Sequence, residues 1–186
     1  IVGRSTHAAE HRAIRNANLF APMNLAVDNA AGLGMLVSPN GSRLYLSNYD
    51  QNTVSVVDTT TYQVLKNVAV GDGPSGLAVS RDGSRLYVTN NASNTVSVIN
   101  TATNTVIANI TVNVPGMVAV SPDGTRAYIP SEAANTVSVI DTATNTVITT
   151  IAVGIKPIAG TTNPLGTRIY VVNEGTGTTA GKVSVI

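Results

Sequence analysis

The sequence predicts an all-β repeat protein, and three observations carry that expectation. A unit recurs along the chain, its anchor tyrosines Tyr45, Tyr87, Tyr128 and Tyr170 spaced by 42, 41 and 42 positions. Each full unit holds four short runs rich in Val, Ile, Thr and Tyr, bounded by Gly, Pro, Asn and Asp. The chain is 43% hydrophobic yet only 11% charged, where a typical soluble domain carries about 25% charged residues. Low charge fits sheets covered on both faces: in Thr95 to Ile99, Val96 and Val98 share one face while Ser97 and Ile99 share the other. Four antiparallel strands per repeated unit of roughly 40 residues describe the blades of a β-propeller. The β-branched runs and frequent Gly-containing turns exclude a helical solenoid.

Residues 1–19 differ from the rest and hold three of the eleven Lys/Arg and both histidines. Ser5 or Thr6 can cap a short helix there, with Ala8, Ala9, Ala13 and Ile14 as helix formers, so a brief helix or ordered arm is expected. The repeat then begins out of phase. Asn24 to Val27 matches Asn67 to Val70, so residues 20–32 read as an orphan outer strand. Repeat 1 follows at 33–74, repeat 2 at 75–116, repeat 3 at 117–157 and a truncated repeat 4 at 158–186.

Within repeat 2 the expected strands are Leu77–Ser80, Arg85–Asn90, Thr95–Asn100 and Val106–Val112. Strands one and two are joined by Arg81-Asp82-Gly83, with Pro39-Asn40-Gly41 and Pro122-Asp123-Gly124 as its counterparts. Proline presets φ, Asp or Asn favours the next position, and glycine takes the left-handed one. Thr101 to Asn104 and Thr142 to Asn145 read as tight hairpins between strands three and four. Pro130, near the end of a strand, removes a ladder donor and predicts an edge or a bulge. The last repeat carries an insertion around Gly175 to Gly181 and stops after a third strand, Val183–Ile186.

Tyr87-Val88-Thr89-Asn90 is a literal YVTN, and the stretch around it resembles the repeat of the YVTN-family β-propellers. The resemblance covers residues 33–186 and, weakly, 20–32; the sister sites read Tyr45 to Asn48, Tyr128 to Ser131 and Tyr170 to Asn173. It implies a propeller, usually of seven blades, in surface or exported proteins, and little about activity. The absence of Trp argues against WD40 repeats. About four blades are expected in this chain. The N-terminal outer strand can complete the last blade and close a small ring, or association with another chain can close a larger one.

Several constellations could carry chemistry. His7, Glu10 and His11 form H-x-x-E-H, weak candidates for a metal on an N-terminal helix. The expectation is nonetheless an ordinary exposed arm, no catalytic residue, no metal site and no cofactor. Arg43, Arg85, Arg126 and Arg168 keep the period, as do Asp58, Asn100 and Asp141. They read as scaffold: blade-to-blade pairs, or bonds to turn carbonyls. Positions that break the period are the better candidates, because the fold does not demand them. The loops entering the innermost strands differ at Asp28, Asp72, Asn113 and Lys156, the expected ligand-binding set, and Tyr49, Asp50, Glu132 and Glu174 vary in the next loops.

The totals bound the function. A net charge of +1 gives no long-range field for steering nucleic acid, and no basic run or aromatic interleaving is present. No apolar run approaches the roughly 20 residues of a membrane helix, and with no cysteine neither a disulfide framework nor a thiolate metal site is possible. The chain opens at Ile1 without a basic-then-apolar leader and reads as processed or as part of something longer. The expected function is a non-enzymatic scaffold for binding or assembly, extracellular, cell-surface or periplasmic, with a protein partner or self-association. The alternative is a propeller enzyme or cofactor-bearing subunit, lactonase-like or redox-associated, with its site at the central channel.

Overall fold

The structure, a computed structural model, describes residues 34–178 and 180–186. The expected arm over 1–19 with His7, Glu10 and His11, the orphan strand over 20–32 and Asp28 lie outside the described residues. The strands form four antiparallel sheets, each following the chain. The first is β1 (Met35–Val37), β2 (Arg43–Asn48), β3 (Thr53–Asp58) and β4 (Val64–Ala69). The second is β5 (Pro74–Val79), β6 (Arg85–Asn90), β7 (Thr95–Asn100) and β8 (Thr105–Thr111). The third is β9 (Ala119–Val120), β10 (Arg126–Ser131), β11 (Thr136–Asp141) and β12 (Thr146–Ala152). The fourth has β13 (Pro157–Thr162), β14 (Ile169–Asn173) and β15 (Lys182–Val185). These are propeller blades.

Successive blades bury facing sides against one another, and the second and third blades are covered on both faces. Tyr45, Val54, Val56 and Val68 of the first blade pack on Leu86, Val88 and Ile99 of the second. Tyr87, Val96, Val98 and Ile110 of the second pack on Ala127, Ile129 and Ile140 of the third. Val137, with Tyr128, meets Ile169 and Val171 of the fourth. Burying apolar surface contributes about 25 cal/mol per Å² removed from water, so these three interfaces hold the blades together. Strands β1, β5, β9 and β13 touch one another in sequence and lie innermost, while β4 and β12 are largely exposed at the rim.

The YVTN motif now has a physical meaning. Tyr87 and Val88 are buried on opposite faces of β6, one against each neighbouring blade. Thr89 Oγ1 accepts the backbone N–H of Gly76 at 2.9 Å, tying β6 to the inner strand. The Asn90 amide donates to Ser97 Oγ at 2.9 Å, and Ser97 in turn donates to Asn109 at 2.8 Å, so one polar chain crosses β6, β7 and β8. Asn48, Ser55 and Asn67 repeat it in the first blade at 2.8 and 2.7 Å.

Pro130 keeps regular register opposite Val137 on β11, so its main pairing is neither edge nor bulged. The lost donor is felt on the other side. At the equivalent place in the first blade, Ser47 N–H donates to Gly34 O at 3.0 Å. Pro130 can only accept there, from Gly116 N–H at 2.8 Å, and β9 shrinks to Ala119–Val120.

Candidate functional site

Antiparallel strands place the loops at two ends of the blades, and the two ends use their charges differently. The first end holds the β1–β2 and β3–β4 turns and their counterparts. Glycine sits left-handed in each β1–β2-type turn, at Gly41, Gly83, Gly124 and Gly166, where a Cβ would be strained. Asp82 and Asp123 sit inside these turns. Ser80 Oγ donates to Asp82 at 2.5 Å, with the N–H and hydroxyl of Ser84 at 3.1 and 2.8 Å. Those bonds hold the Asp82 carboxyl down at about 2, the Ser80 hydroxyl contributing most. Asp123 is lowered for the same reason, led by Ser121.

Asp58 and Asp141 cap the β3–β4-type turns. Asp58 Oδ1 accepts Thr60 N–H at 2.8 Å and Thr61 N–H at 3.0 Å, bonds that lower its pKa ahead of any effect of Arg43. Asn100 does the same work with a neutral carbonyl, accepting from Ala102 and Thr103 at 2.9 and 3.1 Å. Of the two uses expected for the arginines, the bonds to turn carbonyls are present: Arg43 donates to Ser42 O at 2.8 Å and Arg126 to Thr125 O at 3.0 Å. Their carboxylate pairs lie within blades and not between them. Arg43 meets Asp58 at 2.9 Å and Arg126 meets Asp141 at 3.0 Å, each directly opposite in register. Arg85 faces the uncharged Asn100 and reaches across to the Thr142 carbonyl of the next blade. A cleft of about 540 Å³ opens at this end between the first two blades, lined by Arg43, Tyr45, Arg81 and Asp82 among others, most of them period-keeping.

The second end holds the loops that enter the inner strands and the β2–β3-type hairpins. Here the structure brings together three of the period-breaking residues. Lys156 Nζ lies 3.7 Å from a carboxylate oxygen of Glu132 and 3.7 Å from one of Glu174. Lys156 stands at φ 53°, in the left-handed region, as do its counterparts Gly73 at 66° and Val114 at 42°. Each precedes a proline: Pro74 and Pro157 open β5 and β13, while Pro115 lies ahead of β9 in an isolated bridge to Ser131. Glycine takes that conformation freely, whereas for a lysine or a β-branched valine it is strained. A staple overrides the strain: Asn52, Asn94 and Asn135 accept the N–H of Gly73, Val114 and Lys156 at 3.0, 2.8 and 2.9 Å.

Beside Glu132 lies a pocket of about 270 Å³ between three inner strands, lined by Ser75, Gly76, Asn91, Pro115, Gly116, Met117, Glu132 and Ile158. Met117 N–H donates to Ile158 O at 2.9 Å, linking neighbouring inner strands. A Cβ on Gly116 would stand 2.5 Å from that same carbonyl, so only glycine permits the approach. Met117 and Ile158 are exposed and give the pocket an apolar wall.

Of the predicted set, Lys156 joins this cluster. Asp72 and Asn113 occupy the matching loops of the preceding blades and are exposed. Backbone atoms hold them: Ser93 Oγ accepts the Asp72 N–H at 3.0 Å, and the Asn113 carbonyl accepts from the Ser131 hydroxyl. No hydrogen bond or ion pair joins either to Lys156 among the described residues. Sequence reading missed Met117, Ile158 and the asparagine staple. The signal was there in the alignment of Gly73-Pro74, Val114-Pro115 and Lys156-Pro157, which shows a glycine site filled by valine and lysine. No group of three or more His, Cys, Asp or Glu converges among the described residues.

Residues 30–117 match the YNCE-like beta-propeller family. The chain is similar to a solved structure of Kuenenia stuttgartiensis hydrazine synthase, with 30% identity and a TM-score of 0.82 over 88% of this chain and 48% of that one. U3-55K superposes at a TM-score of 0.75 with 14% identity, over 87% of this chain and 53% of that one. The RRP9 WD40 repeats superpose at 0.71 with 13% identity, over 80% and 47%. These last two show the fold alone. No curated protein matches the sequence. The chain is a β-propeller repeat protein, and it spans about half the length of the solved chains it matches.

Proposed function

We propose that this chain is a non-enzymatic propeller scaffold of the YVTN repeat type, exported or displayed at a cell surface, that binds a protein partner at the inner-strand entry end. One observation carries the reading: the two ends divide scaffold from spare chemistry. At the turn end, Asp58, Asp82, Asp123 and Asp141 are all engaged in turns and caps. At the entry end, Asp50, Asp72, Glu132 and Glu174, with Lys156 and Lys182, cap no turn, and all break the repeat. An acidic rim beside an apolar pocket suits a protein segment that presents Lys or Arg next to an apolar side chain. The low charge and Thr/Asn-rich surface support export, which fractionation of the source cells with an antibody tests. Recovery from the cytosol alone would overturn that part.

A second reading has its own support. The 30% identity to a chain titled hydrazine synthase favours a propeller subunit belonging to an enzyme. The purified chain, assayed with lactones and calcium and with redox dyes, is expected to give no turnover. Turnover that Glu132→Gln abolishes would replace the scaffold reading with the enzymatic one.

A further inference from the structure

Three departures from the repeat meet at the turn end, around the cleft of about 540 Å³ between the first two blades. Arg81 lines it, standing where the other repeats place Pro39, Pro122 and Pro164. This arginine is exposed and makes no ion pair or side-chain hydrogen bond among the described residues. Asn40 sits in the opposite wall, where the next two repeats hold Asp82 and Asp123. Asn100 caps the hairpin that includes Thr101 and Asn104 of the lining, and its counterparts are Asp58 and Asp141. Each replacement makes the cleft more positive than the repeat would.

Several donors there are unspent. The Asn40 amide oxygen accepts from Ser38 Oγ and from the N–H and hydroxyl of Ser42, and its own N–H groups have no partner among the described residues. Tyr45 is 2% exposed yet lines the cleft, and its hydroxyl makes no hydrogen bond among the described residues. Burial pushes that hydroxyl up, with Arg43 opposing, so it is a protonated donor at neutral pH. Arg43 holds Ser42 O and Asp58 through Nη1 alone. Asp82 is the one carboxylate on the lining, and its oxygens already accept three bonds. The corresponding place between the second and third blades differs: Pro122 replaces Arg81, Asp82 replaces Asn40, and Arg85 spans to the Thr142 carbonyl.

The geometry points to an anion site: this cleft binds the carboxylate of an acidic saccharide, held by Arg81, Asn40 and Tyr45 with Arg43 beside them. Arginine and amide donors with no free carboxylate to compete select an oxyanion. The space falls in the range of about 300–1,000 Å³ usual for small-molecule sites, far more than a bare inorganic anion fills. Its walls carry the hydroxyls of Ser38, Ser42 and Thr101 and no large aliphatic side chain, which suits a hydroxyl-rich ligand. The site lies at the other end of the blades from Lys156 and Glu132, so it stands or falls separately from what the entry end binds.

Calorimetric titration of the 186-residue chain with a galacturonate trisaccharide tests it, beside neutral galactotriose, tri-aspartate and inorganic phosphate. The acidic sugar should bind, and bind more weakly as salt rises. Arg81→Pro and Asn40→Asp install residues that neighbouring repeats already use in this turn, so the fold is kept. They should weaken binding by about tenfold and about threefold. Tyr45→Phe, which removes only the hydroxyl, should weaken it by about fivefold. Asp82→Asn should tighten it by about threefold, a gain that a merely structural role would not give. Circular dichroism checks the strands of each variant. No binding of the acidic trisaccharide, or an unchanged affinity in Arg81→Pro, would overturn the proposal. So would galactotriose, tri-aspartate or phosphate binding as tightly as the acidic sugar.

Discussion

The amide oxygen of Asn135 accepts the backbone N–H of Lys156 at 2.9 Å, and both residues stand in the left-handed region, at φ 55° and 53°. Asn135 belongs to the hairpin of one blade and Lys156 to the entrance of the next, so this bond sets where the ammonium group is presented.

Asn135→Ala should lower stability by about 1 kcal/mol, the usual worth of such a bond, and release the loop. Lys156→Gly should keep the fold within about 1 kcal/mol, because glycine takes the same φ freely while adding unfolded-state entropy. Urea unfolding of the two variants measures both. A larger loss for glycine than for the asparagine deletion would mean that the lysine side chain, not the backbone, holds this loop.

Tyr62 offers a test of turn chemistry. It stands at φ 58° in the β3–β4 hairpin, where the later repeats place Asn104 at 52° and Asn145 at 56°. Asparagine tolerates this conformation better than a bulky aromatic residue, and Tyr62 is exposed, so little packing is lost. Tyr62→Asn should raise stability by about 0.5–1 kcal/mol in the same unfolding experiment.

Asp82 should make the fold acid-sensitive. Its folded pKa of about 2 lies below the unfolded value of about 3.9. The unfolded state therefore binds the proton first as pH falls, and the stability that the carboxylate contributes is full above about pH 4 and lost towards pH 2. Asn40 fills the same turn in the first repeat with a neutral amide, accepting from Ser38 and from the Ser42 N–H and hydroxyl at 2.8, 3.1 and 2.9 Å. Asp82→Asn should thus keep the turn and flatten the acid limb of a pH titration of the unfolding midpoint. An unchanged limb would assign the acid sensitivity to the other turn carboxylates.

Much of this architecture was legible because the repeat states each rule several times. Arg85–Asn90 and Thr95–Asn100 are strands within the bounds their sequence predicts, since β-branched runs between turn residues leave little choice. The inner strand was harder. β5 begins at Pro74, before the apolar run, and its register shifts between Pro74 and Leu77, which no local pattern announces. The candidate site was half legible. Departure from the repeat picks out Glu132, Lys156 and Glu174, but their meeting depends on how successive blades rotate about the channel. The arginines show the converse limit: their period marks them as scaffold, yet only cross-strand register reveals that Arg43 and Arg126 pair within a blade while Arg85 bridges two.

The central claim is that residues keeping the repeat hold the fold, and that those breaking it at the entry end are free for binding. A stability scan of single substitutions, read by urea midpoint, tests this without knowing the partner. Asn90→Ala and Ser97→Ala, which cut the buried polar chain, should each cost about 1–3 kcal/mol. Substituting Asp72, Asn113, Glu132, Lys156 or Glu174 by Ala should cost less than about 1 kcal/mol each, as expected for exposed side chains and ion pairs. If the second group destabilises the chain as much as the first, the entry-end cluster is itself scaffold and the account is contradicted.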